Sequence, residues 1–179
     1  EKLLENNFSY SMQNMINRGK DPNHKDIHLS KDAKSEWLIK ENGLNFIVKN
    51  QQGKSPGIFL DQREHRKWLQ ENAKEKEVLN LFCYTGAFSV NAAYGNAKSI
   101  VNVDTSKPSL EWLKENLKAN NFSLEGHEFW ASDARIFVKG CKNKGRKFDI
   151  IICDPPSFAR TKKDIFKIEK EISGLIQTC

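Results

Sequence analysis

No run of apolar residues in this 179-residue chain approaches the roughly 20 needed to cross a bilayer. The opening stretch, residues 1–8, also lacks the basic-then-apolar order of a secretion signal. The four cysteines, Cys83, Cys141, Cys153 and Cys179, form no C-x-x-C pair and no Cys/His cluster at zinc spacing, so no metal site is expected. Two of them fall in apolar runs, where a free thiol behaves as a small hydrophobe. Structural disulfides are therefore not expected, and a soluble protein of the reducing cytoplasm fits. Internal repeats and low-complexity tracts are absent, and so is the G-x-G-x-x-G fingerprint of dinucleotide binding.

What the chain does carry is a modest positive excess, 29 Lys+Arg against 23 Asp+Glu for a net charge of +6. Such a balance favours a polyanionic partner through phosphate contacts, although many basic proteins bind no nucleic acid. Hydrophobic residues make up 38%, enough at this length for one domain with a core and a small appendage.

Leu4, Phe8, Met12, Met15 and Ile16 recur at helical spacing, which predicts a helix over 2–17 closed by Gly19, with a polar connection over 20–34. Residues 1–35 thus read as an N-terminal helix and linker. Short β runs follow over 37–40, 44–49 and 57–60, with Asn42-Gly43 as the tight turn between the first two. Asp61 and Glu64 form a capping-box pattern for a helix ending near Asn72, so 36–76 reads as a small antiparallel element plus helix. From residue 77 the rhythm is β (78–83), α (87–94), β (99–103), α (106–120), β (127–131), α (134–141), β (148–153), then a helix over 164–177. This alternation predicts an α/β, Rossmann-like parallel sheet with helices on both faces.

In such sheets ligands bind beyond the carboxyl ends of the strands, and the polar signals cluster there. The first core strand runs through Asn80 and Phe82 into Tyr84-Thr85-Gly86, where Gly86 lets the backbone turn closely beneath a ligand. Asp104 ends the second strand, placed to accept bonds from ribose hydroxyls, while Ser106 suits the cap of the next helix. Asp133, followed by Ala134, ends the third strand, where its carboxylate either accepts from an adenine amino group or caps a helix. The fourth strand delivers Asp154-Pro155-Pro156. Its two prolines fix an extended loop, and Phe158 follows as a candidate for stacking on a base.

Four segments, GIFLDQR (57–63), VLNLFCYTGAF (78–88), VDTS (103–106) and DPPSF (154–158), together resemble the bacterial class I methyltransferases of large-subunit ribosomal RNA, both the cytosine-5 and the guanine-7 members. The resemblance covers roughly 36–163. It implies that S-adenosylmethionine is the cofactor, with Tyr84-Thr85-Gly86 at its methionine end, Asp104 on the ribose and Asp133 on the adenine. It places Asp61, Gln62 and Arg63 beside the cofactor, Arg63 as a partner for its carboxylate, and Asp154 facing the target base of an RNA. Class I sheets usually have seven strands, and only four are legible, so residues 77–179 read as an incomplete core whose fourth strand is an edge open to pairing. The carbon-methylating members use a cysteine nucleophile further along; Cys179 does not match its motif and no nucleophile is assigned. That absence and the helix through Leu110-Glu111-Trp112 lean towards guanine. Exocyclic-amine methylation, a nicotinamide-dependent oxidoreductase and a non-catalytic RNA-binding fragment stand as alternatives.

Overall fold

A computed structural model describes residues 11–12, 27–28, 35–49, 55–156, 158–160 and 165–179, with the backbone alone for 11–12, 27–28, 158–160 and 165–167. Its centre is a four-stranded sheet of β5 (Glu77–Leu81), β6 (Ser99–Asp104), β7 (His127–Ala131) and β8 (Ile150–Cys153). All its pairs are parallel, in the order β7-β6-β5-β8. The chain moves outward from β5 to β7 and then returns to the opposite side of β5, which opens a crevice above the β5/β8 junction.

Side-chain alternation explains why helices cover both faces. Leu79, Leu81, Val101 and Val103 point to one face and pack under α4 (Ala134–Asn143) and α5 (Ile168–Thr178) through Phe137, Val138 and Leu175. Val78 and Ile100 point to the other face, beneath Leu69 and Ala73 at the end of α1 (Arg63–Asn72) and Ala92 of α2 (Ala87–Tyr94). Asn80 and Asn102 share that second face and are buried. Ser89 satisfies them by accepting from Asn80 Nδ2 at 2.8 Å and donating to Asn102 Oδ1, so no buried polar group in this row is stranded.

β3 (Glu36–Glu41) and β4 (Leu44–Lys49) form the hairpin read from the sequence, turning at Asn42-Gly43 with both residues at positive φ. Leu44, Phe46 and Val48 share a core with Leu110, Leu113 and Leu117 of α3 (Lys107–Lys118). The α3 cap forms as expected: Ser106 accepts from Ser109 N at 3.2 Å, with Pro108 in the first turn.

Several expectations are overturned. Ser11–Met12 are extended, as β1, and pair antiparallel with β2 (Ile27–His28), so neither the helix over 2–17 nor the featureless connection over 20–34 holds at these residues. The remainder of both lies outside the described residues. Ser is a weaker helix former than the apolar spacing alone takes into account. The run 57–60 is not a strand, because Gly57 has φ +119° and the next residues enter a 3-10 turn, Leu60–Gln62. Asp61 is consumed inside that turn, so α1 opens after Gln62 without a side-chain cap and the capping box does not form. Near the other end, Ile165–Lys167 is extended (β10), paired with β9 (Phe158–Arg160), and α5 begins only at Ile168.

His127 opens β7 stacked on Phe129, ring centroids 6.0 Å apart, and its Nδ1 is buried without a partner among the described residues. Burial lowers its pKa from 6.5 to about 4. A depressed histidine stabilises the fold fully above pH 6.5, and this contribution is lost as pH falls towards 4, because the unfolded chain takes up the proton first. Urea unfolding across this window should show wild type losing on the order of 3 kcal/mol more than His127→Gln; parallel curves would refute the assignment.

Candidate functional site

Above the carboxyl ends of the four strands lies a cavity of about 1000 Å³. Asn80 and Phe82 reach it from β5 and its loop, Asp104 and Ser106 from β6, Asp133 and Ala134 from β7, and Asp154, Pro155 and Pro156 from β8. Tyr84, Thr85, Asp61 and Gln62 complete the set of predicted residues that face it.

Asp104 links the loops. Its Oδ2 accepts from Tyr84 N at 2.9 Å and its Oδ1 from Ser106 N at 2.8 Å, so the β5 and β6 loops are fixed to one carboxylate. Burial raises its pKa, opposed by these backbone bonds. Each oxygen accepts one of these bonds and retains capacity for another from the cavity. The loop it holds is strained: Phe82 and Tyr84 sit at φ +56° and +48°, which L residues rarely adopt.

A strap crosses one side of the cavity. Tyr84 Oη donates to Ser55 O at 2.9 Å, Thr85 Oγ1 to Gly57 O, and Trp112 Nε1 to Ile47 O at 3.0 Å. The Tyr84 ring lies 5.8 Å from Phe59 and 6.1 Å from Trp112. A Cβ on Gly57 would come within 2.5 Å of Trp112 Cζ2, so only glycine fits there. Leu110 and Trp112, read earlier with Glu111 as leaning towards guanine, are buried packing residues.

Two predicted residues, Gly86 and Arg63, are not among those that line the cavity. Gly86 faces α3, where a Cβ would lie 2.1 Å from Leu113 Cγ, so the absent side chain lets α3 pack closely against this loop. Arg63 donates from Nε to Asn42 Oδ1 at 3.2 Å and is not among the lining residues. Helical geometry explains this: one turn on, Arg66 points inward instead. The side chain of Phe158 lies outside the described residues.

Arg66 is the residue the sequence reading missed. It is only 1% exposed, lines the cavity, and binds Glu41 through Nε to Oε1 and Nη2 to Oε2, both 2.7 Å. Its Nη1 donates to Phe59 O at 2.8 Å. The available signal was its place one turn after Asp61-Gln62-Arg63 on a helix with a buried stripe.

Asp133 caps α4. Its Oδ1 accepts from Arg135 N and Nε, its Oδ2 from Arg135 Nη2 at 2.6 Å, and the Arg135 guanidinium holds its carboxyl below the usual range. Asp154 differs: burial and then the neighbouring Asp61 raise its pKa, with His65 and Arg66 opposing. Gln62 Nε2 lies 3.5 Å from Asp154 Oδ1. Burial also raises the Cys83 thiol and pushes Cys153 up to about 11, so neither is primed as a nucleophile.

The lining is acidic. Among the described residues Asp61, Asp104 and Asp154 have no salt bridge, whereas Arg66 is neutralised by Glu41 and Asp133 by Arg135. Such a cavity suits a ligand that carries a positive centre and ribose-type hydroxyl donors.

A profile of the S-adenosylmethionine-dependent methyltransferases matches residues 9–175. The chain belongs to that family, whose cofactor is S-adenosylmethionine. It is 40% identical over 146 residues to the ribosomal RNA large subunit methyltransferase K of Neisseria meningitidis serogroup B, spanning 80% of this chain and 41% of that protein. It is 40% identical over 127 residues to the ribosomal RNA large subunit methyltransferase I of Yersinia pseudotuberculosis, spanning 71% and 32%. Among solved structures, SMU.776 in complex with SAH matches at TM-score 0.80 and 39% identity, over 86% of this chain and 40% of that one. The chain therefore spans less than half the length of these relatives. No helix among the described residues is long and apolar enough to cross a membrane.

Removing one partner of a buried bidentate pair strands the other charge. Arg66→Met should lower unfolding stability by about 3–5 kcal/mol, and the double variant Arg66→Met/Glu41→Met should recover most of it. Additive losses in denaturant melts would show that the pair does not act as a unit.

Proposed function

We propose that this chain is the cofactor-binding part of an enzyme that methylates a base of RNA, ribosomal RNA of the large subunit, at guanine N7 or cytosine C5. One observation carries the reading: Asp104 and the Asp154-Pro155-Pro156 loop face a single acidic cavity, in a chain 40% identical to a protein named for ribosomal RNA methylation. A cytoplasmic location accords with that substrate.

In this reading Asp104 holds the ribose through the lone pairs left free by Tyr84 N and Ser106 N, and Ser106 keeps the α3 end in place. Asn80, Phe82, Tyr84 and Thr85 shape the methionine end, with Asp61 and Gln62 beside it. Asp133 and Ala134 border the adenine, Asp133 with its carboxylate already shared by Arg135. S-adenosylmethionine, when bound, supplies a methyl group on a cationic sulfonium. The acidic lining of Asp61 and Asp154 favours that cation over a neutral thioether. Asp154 accepts from the amino group of the target base, and Pro155 and Pro156 hold its backbone extended. Such a transfer needs alignment more than acid or base groups. Guanine N7 is itself nucleophilic and requires only orientation; cytosine C5 requires covalent activation, and neither Cys83 nor Cys153 is suited to that.

Calorimetric titration of the chain with S-adenosylmethionine and, separately, NAD tests the cofactor reading. Saturable binding of the former is expected, about tenfold or more weaker in Asp104→Ala and unchanged in Arg63→Ala; preference for NAD would sink the methyltransferase assignment. Digestion of ribosomal RNA treated with the intact protein would then separate 7-methylguanosine from 5-methylcytidine.

A further inference from the structure

Between Ala134 and Phe148 there is no acidic residue, while Lys139, Lys142, Lys144, Arg146 and Lys147 fall within nine positions. The four lysines are exposed, and none has a salt bridge or side-chain hydrogen bond among the described residues. Lys49, Lys98, Lys114, Arg66 and Arg135 each have an acidic partner. Arg146 is also paired, and its pairing makes the segment rigid. Its guanidinium grips Glu128 at 2.6 and 3.0 Å and lies 5.0 Å over the Phe148 ring. Gly145, at φ +66°, closes α4 by donating to Lys142 O, and Arg146 N donates to Cys141 O, a helix end that presents flanking side chains outward.

The same Glu128 accepts from Trp130 Nε1 at 2.9 Å. Trp130 packs on Phe137, centroids 5.5 Å apart, yet stays 47% exposed. An indole held by its edge and open on its surface sits beside the basic loop, two residues before the cavity-lining Ser132. Unpaired ammoniums track phosphates, and an exposed aromatic ring stacks on an unpaired base.

We propose that Trp130 together with Lys139, Lys142, Lys144 and Lys147 forms an RNA-contact surface outside the cavity, which takes single-stranded RNA by base stacking on Trp130 and phosphate contacts to the lysines. This rests on the RNA reading above. Helix C-terminal lysines also favour the helix dipole, which accounts for Lys142 but not for lysines beyond the helix or for the exposed indole.

Fluorescence anisotropy with a labelled single-stranded RNA of about 20 nucleotides, across salt concentrations, tests it. Lys142→Gln/Lys144→Gln/Lys147→Gln should bind about tenfold more weakly and flatten the slope of log affinity against log salt by about 2–3. Trp130→Ala should weaken binding about tenfold with the slope unchanged. The matched set Lys40→Gln/Lys67→Gln/Lys118→Gln should change affinity by no more than about twofold, and replacing Lys142, Lys144 and Lys147 by Arg should retain binding. All variants should bind S-adenosylmethionine as wild type does, which establishes that they are folded. Equal loss in both glutamine sets, no loss in either, or tighter binding to phosphatidylglycerol vesicles than to RNA would overturn the surface. Wild type that binds cofactor but no RNA would remove the RNA reading with it, whereas wild-type binding indifferent to the loop and Trp130 would remove the surface alone.

Discussion

The architecture around the cavity depends on one desolvated ion pair, Arg66 with Glu41. The two side chains come from α1 and the end of β3, which share no other salt bridge among the described residues. Both are buried, at 1% and 7% exposure. Burial of two charges costs several kcal/mol per ion before any attraction is counted, so the pair holds only because both carboxylate oxygens are bonded and a third guanidinium bond fixes Phe59 O. That third bond matters for the site. Phe59 belongs to the strap that meets Tyr84, and Tyr84 follows β5, so hairpin, first helix and strand-end loop are aligned by one guanidinium.

The loop after β5 is where stability is spent. Phe82 and Tyr84 hold left-handed conformations that cost on the order of 1–3 kcal/mol each, and neither is glycine. Asp104 compensates by accepting from Tyr84 N, and Gly57 O, accepting from Thr85 Oγ1, and Asn116 Nδ2, donating to Thr85 O, bind the loop from two further sides. Strain held by several independent partners gives a loop that does not relax when a ligand arrives or leaves, so little conformational entropy is lost on binding. The price falls on the neighbours: Gly86 and Gly57 have no room for a side chain because Leu113 and Trp112 of α3 press against them.

The parallel core was legible because β5, β6 and β8 are largely apolar runs with polar residues following at the carboxyl end, and β7 was placed to the residue. Asp104, Asp154 and the prolines were legible for the same reason, since strand-end position alone aims them at one crevice. What could not be read is set by three-dimensional packing. Arg63 and Arg66 differ by one helical turn, and which of them is buried depends on Glu41, 25 residues before Arg66 and across a hairpin. Gly86 announces a tight approach, but the sequence does not say that the approaching object is Leu113. The 57–60 run has strand composition, yet its glycine is recruited by Trp112 and Thr85 into a strap. At Ser11–Met12 apolar spacing favoured a helix, and pairing with Ile27–His28 overrode it.

One chain that must hold a cationic cofactor and also meet a polyanion faces an electrostatic conflict. Carboxylates that favour a sulfonium repel phosphates, and lysines that attract phosphates repel the sulfonium. The two sets must therefore stand apart by more than the screening distance, about 8 Å at physiological ionic strength. Here the separation is made by α4. Its first residue, Ala134, lines the acidic cavity, and its last, Asn143, lies about 13.5 Å along the axis at 1.5 Å per residue. Asp104 and Asp154 stand at strand ends and Asp61 in the 3-10 turn that also lines the cavity, none with a salt bridge among the described residues, and the unpaired lysines lie towards and beyond the far end of that helix. Asp133 sits at the acidic end but is already neutralised by Arg135, so the helix leaves the cavity without adding to its negative charge. Arg146 is neutralised by Glu128 in the same way at the basic end. Both compensated pairs anchor the ends of α4 and leave the uncompensated charges to the two ligands.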